Sequence, residues 1–81
     1  MNILIAEDRE DSRIMLSTLL ESHGHHVLSA ENGKLALELI ENEIPDLIIS
    51  DILMPVMDGF DLCRIIKSDP NLAHIPFIFY T

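Results

Sequence analysis

Apolar residues gather in four short runs, "NILIA" (2–6), "HVLSA" (26–30), "DLIIS" (46–50) and "PFIFYT" (76–81), with longer mixed stretches between them. Runs this short with little polar alternation suit strands covered on both faces. The intervening stretches change period. In "DSRIMLSTLLES" (11–22), Met15, Leu16, Leu19 and Leu20 recur at helical spacing, acidic residues precede them, and Gly24 follows as a stop. "ENGKLALELIEN" (31–42) predicts a second helix with Ala36, Leu39 and Ile40 on its inner side. "GFDLCRIIKSD" (59–69) predicts a third, with Asp58 as its cap. Strands alternating with helices over such short connections predict an α/β fold, with a doubly wound parallel sheet, right-handed crossovers and helices on both faces.

In sheets of this kind ligands sit beyond the carboxyl ends of the strands. The polar residues there are Glu7 and Asp8 after the first strand, Asp51 after the third and Thr81 after the fourth. If the first and third strands are neighbours, three carboxylates converge in a small volume and repel one another. An oxygen-only ligand set with room for waters then suits Mg²⁺ or Mn²⁺ better than zinc. Taken singly, Glu7 and Asp8 could serve the helix N-terminus that follows, and Asp51 could cap the next loop. Their combination at one edge of the sheet is harder to assign to capping.

Composition narrows the partners. The 81 residues carry 14 acidic against 5 basic side chains, a net charge of −9, which argues against a direct grip on nucleic acid. Hydrophobic residues at 48% favour a packed core over disorder. "MNILIAED" has neither the basic start of a signal peptide nor the length of a membrane span. The single cysteine, Cys63, has no internal partner and suits a reducing compartment, so the expected location is the cytoplasm.

The segments "ILIAEDRED", "ENGKLAL", "PDLIISDILMPVMDG" and "PFIFYT" resemble the receiver domain of two-component response regulators, and the resemblance runs the length of the chain. "D-x-x-M-P-x-x-D-G" after an apolar strand is its most specific part. The resemblance implies a flavodoxin-like sheet of order 2-1-3-4-5. It makes Asp51 the phosphoacceptor, with Glu7, Asp8, Asp51 and the backbone carbonyl of Leu53 holding Mg²⁺, and Thr81 the hydroxyl that senses the phosphoryl group. The implied partner is a histidine kinase or a histidine phosphotransfer domain, and the implied role is that of a signalling module and not an enzyme. Residues 1–81 match such a domain only as far as its fourth strand. The family's fifth strand, its last two helices and its aromatic switch residue have no counterpart here, and neither does its strand-five lysine, since Lys34 and Lys67 both fall in helices. The expectation is therefore an incomplete receiver that associates with itself through an open sheet edge and face.

Two other functions remain in contention. A scaffold or shortened receiver fragment would bind a partner without phosphorylation. A phosphatase of the haloacid dehalogenase type also uses a strand-end aspartate and Mg²⁺, but that family places a second aspartate two residues on, where this chain has Leu53. "HGHH" (23–26) falls at the opposite end of the sheet from the acids and is expected to be a solvated turn. Cys63, Met54 and Met57 are expected to pack, and Phe77, Ile78 and Phe79 to form core.

Overall fold

In the computed structural model, which describes residues 1–80, strands and helices alternate as β1 (Asn2–Ala6), α1 (Glu10–Ser22), β2 (His26–Ala30), α2 (Gly33–Asn42), β3 (Leu47–Asp51), α3 (Gly59–Ser68) and β4 (Phe77–Tyr80). Thr81 lies outside the described residues. The sheet is parallel throughout, in the order β2-β1-β3-β4. The chain thus steps from β1 to one side and then crosses over β1 to β3, so the reversal falls between β1 and β3, and their carboxyl ends flank the crevice where such sheets bind ligands.

Alternate residues of each strand face opposite sides, so the register sorts the core. Leu4, Ala6 and Ile48 meet Ala36 and Ile40 of α2 and Leu62 and Ile66 of α3 in the main apolar cluster, closed by Met54 and Ile75. The other side is thinner. There α1 packs mainly on β2 and β1, and the cross-strand row Ile5, Ile49, Ile78 runs out from beneath it. Ile5 is fully buried and Ile49 half-buried, while Ile78 is 49% exposed.

That geometry corrects two expectations. Of the α1 stripe, Leu16 and Leu20 are half-buried against the sheet, but Met15 and Leu19 are exposed, as is Ile14 beside them. A single helix over two strands can bury only a narrow strip of its surface, and no other element covers its flank among the described residues. For the same reason Ile78, on the α1 side, is exposed and not core, while Phe77 and Phe79 point to the other side and are half-buried, Phe77 against the main cluster and Phe79 beside Phe60 of α3.

Local signals set the helix ends. Asn32 accepts a hydrogen bond from the Leu35 N–H at 2.8 Å and starts α2, two residues later than the apolar period suggests. Asp58 does the same for Asp61 N–H at 2.8 Å and starts α3 where expected. Gly24, at φ +87°, ends the turn after α1 in a conformation that other residues rarely adopt. Cys63 is half-buried. His26 leaves its turn to pair with Glu43 at 3.1 Å. No helix among the described residues is long and apolar enough to cross a membrane.

Candidate functional site

Asp51 is the last residue of β3, inside the strand and not beyond it, and it pairs with Tyr80 of β4. Ala6 of β1 pairs with Ser50, so Glu7 continues β1 to the level of Asp51. Glu7, Asp51 and Tyr80 therefore follow Ile5, Ile49 and Ile78 on the α1 side of the sheet, at its carboxyl edge. Rigid, hydrogen-bonded strands set these positions, and the apolar rows beneath hold them there.

Asp8 completes the group. One oxygen from each of Glu7, Asp8 and Asp51 lies within 4.8 Å of the others, and among the described residues this is the one cluster of potential metal ligands. Glu7 is buried, Asp51 half-buried and Asp8 exposed, so the cluster opens to solvent on one side. Three carboxylates this close repel one another, and a cation relieves that repulsion. All the donors are hard oxygens, which suits Mg²⁺. The Leu53 carbonyl, on the loop that leaves Asp51, accepts no hydrogen bond among the described residues. The donor set expected from the sequence is thus compatible with a magnesium ion.

Glu7 is anchored along its whole length. Its N–H donates to Ala30 O at 3.0 Å, and its carbonyl accepts from Arg13 Nη1 at 2.8 Å. Its carboxylate accepts from Arg9 N–H at 3.0 Å through Oε1 and from the Tyr80 hydroxyl at 2.7 Å through Oε2. These donors offset the cost of burying a carboxylate that is only 3% exposed. Burial, then the hydrogen bond to Glu7 and the charges of Glu7, Asp51 and Asp8, push the Tyr80 phenol well above its usual range. Neither Tyr80 nor Arg13 was expected at the site. A tyrosine closing an apolar strand one residue before Thr81, level with Asp51, was the available signal.

Asp51 is held differently. Its Oδ1 accepts the Ile52 N–H at 2.8 Å, and Oδ2 has no hydrogen-bond partner among the described residues. Its carbonyl accepts from the buried Ser50 hydroxyl at 2.8 Å. The loop beyond is pinned at several points. Met54 enters the core, Gly59 N–H donates to Ile52 O at 2.8 Å, and Gly33 N–H donates to Met57 O at 3.1 Å. Between them Met57 N–H reaches Pro55 O at 2.7 Å across Val56, whose φ of 69° makes a γ-turn unusual for a β-branched residue. The methionines expected to pack do so, Met57 lying against Gly33.

Comparison with known proteins gives one consistent answer. A family model described as the response regulator receiver domain matches residues 3–81. A histidine kinase of Formosa agariphila is 47% identical over 79 residues, covering 98% of this chain and 6% of that protein. Protein PilH of Pseudomonas aeruginosa is 40% identical over 79 residues, covering 98% of this chain and 65% of its own. Among solved structures, the signal receiver domain of a signal transduction histidine kinase from Syntrophus aciditrophicus superposes with a TM-score of 0.94 at 44% identity, over 99% of this chain and 61% of that one. The chain thus spans less than two thirds of the length of each of these relatives.

Proposed function

This chain belongs to the response regulator receiver domain family, and from that premise we propose that Asp51 accepts a phosphoryl group from a histidine kinase or a histidine phosphotransfer domain. The observation that carries the proposal is the half-buried Asp51 at the end of a rigid strand, with Glu7 and Asp8 within 4.8 Å. Asp51 Oδ2 is the nucleophile, since Oδ1 is engaged by the Ile52 N–H. It forms an O–P bond while the P–N bond of the donor phosphohistidine breaks, and the ring nitrogen leaves with the bonding pair and takes a proton from solvent. Glu7, Asp8, Asp51 and the Leu53 carbonyl are the residues that would hold Mg²⁺. When bound, the ion supplies positive charge against the carboxylates and the transferring group. The chain's own part is to fix the nucleophile in place, so that catalysis rests on positioning and electrostatics. Thr81 is assigned by family resemblance to the hydroxyl that contacts the phosphoryl group.

The partner is proteinaceous and acts in the cytoplasm. Two of the relatives above carry the name of a histidine kinase, which supports a donor of that class. We also propose that this 81-residue chain associates with itself. β4 pairs only with β3 among the described residues, and Ile14, Met15 and Leu19 of α1 and Ile78 of β4 are exposed apolar side chains.

Titration with Mg²⁺ followed by backbone amide shifts tests the metal assignment. The expected result is a saturable set of shifts at residues 7–9 and 51–53 that weakens in Asp51→Asn. Scattered shifts, unchanged by the substitution, would contradict it.

A further inference from the structure

Glu7 is the one buried carboxylate of the acidic group, and its two oxygens are held in different ways. Arg9 N–H, which binds Oε1, is two residues away in sequence. The Tyr80 hydroxyl, which binds Oε2, is 73 residues away and comes from the far side of Asp51. We propose that Tyr80 is a positioning residue for the divalent-cation site: its hydroxyl orients the Glu7 carboxylate and so raises the affinity of the chain for the cation. The inference rests on the reading of Glu7, Asp8 and Asp51 as a cation site, and adds a residue to it.

The terminal torsion of a glutamate is broad and roughly two-fold, so one hydrogen bond leaves the carboxylate free to turn about the bonded oxygen. A second donor from a separate strand removes that freedom. Tyr80 suits the task chemically. A phenol is neutral, so it satisfies Oε2 without setting a fixed positive charge against an incoming cation, as a lysine or arginine would. Its hydroxyl occupies one lone pair of Oε2 and leaves another for a metal or for a metal-bound water. The ring is fixed in turn by its place in β4, in register with Asp51. Orientation of a ligating side chain by an outer hydrogen bond is a general way in which proteins tune metal sites.

Mn²⁺ binding measured by calorimetry in four forms of the chain tests this: the natural sequence, Tyr80→Phe, Glu7→Gln and the double variant. Tyr80→Phe retains the ring and removes only the hydroxyl. It is expected to weaken Mn²⁺ binding about tenfold, and to have no further effect once Glu7→Gln is in place. Equal affinities for the natural chain and Tyr80→Phe would overturn the proposal. So would an equal loss with and without the Glu7→Gln substitution, which is what a merely structural role for Tyr80 produces. Failure of the natural chain to bind Mn²⁺ at all would instead remove the cation-site reading, and this inference with it. A second measurement needs no variant of Tyr80. The chain has one tyrosine and no tryptophan, so its emission reports this hydroxyl directly. Because a carboxylate acceptor quenches phenol emission, Glu7→Gln is expected to brighten it. Unchanged emission would also overturn the proposal.

Discussion

Gly59 shows how closely one residue can be tied to the reacting group. A β-carbon built at this position overlaps the backbone carbonyl of Asp51 and presses on Ile52, while the Gly59 N–H already bonds Ile52 O at 2.8 Å. The start of α3 therefore packs backbone to backbone on the end of β3, with no room for a methyl group. Gly59→Ala must move either the helix or Asp51. Overpacking of this kind costs about 1–3 kcal/mol, and a displacement near 1 Å at a nucleophile lowers the rate roughly 100-fold. Urea unfolding together with the rate of labelling by a small phosphodonor checks both figures. An alanine variant with native stability and native rate would show that the contact is dispensable.

At the scale of elements, α3 links the loop to the core. Its N-terminus is capped by Asp58 and its inner face buries Leu62 and Ile66. Asp58→Ala removes the cap and is expected to cost about 1 kcal/mol, with hydrogen exchange fastest at the amides of 59–61. Uniform exchange along α3 would place the loss elsewhere. Elements of this kind were legible in the sequence. The Asp58 cap followed from local residues and the strand order from family resemblance, and the convergence of Glu7, Asp8 and Asp51 followed from strand-end acids once β1 and β3 are neighbours. What was not legible depends on neighbours distant in the chain. The period of α1 marks an apolar stripe, but no local signal states that the helix rests mainly on β1 and β2, so Met15 and Leu19 of that stripe are exposed. Tyr80 looked like one more apolar strand residue, because its hydroxyl finds a partner 73 residues away. Asn32 as the start of α2 was missed because charge and period continue across it.

For the whole molecule, one side of the sheet is sealed by α2 and α3 and the other is half covered. Exposed Ile14, Met15, Leu19 and Ile78, and the β4 edge, support the proposed self-association. The weight-average mass in sedimentation is therefore expected to rise with concentration. Met15→Lys with Ile78→Lys should suppress that rise and change stability by no more than about 0.5 kcal/mol each, as exposed substitutions do. A monomer at every concentration would contradict this expectation.

The central claim is that Asp51 receives the phosphoryl group beside a cation held by Glu7 and Asp8. The most direct measurement treats the protein with a small-molecule phosphodonor and Mg²⁺ and locates the added mass by peptide mass spectrometry under conditions that preserve acyl phosphates. The account predicts a single modification at Asp51, absent without Mg²⁺ and absent in Asp51→Asn. A modification on another residue, or a label that persists in Asp51→Asn, would contradict it.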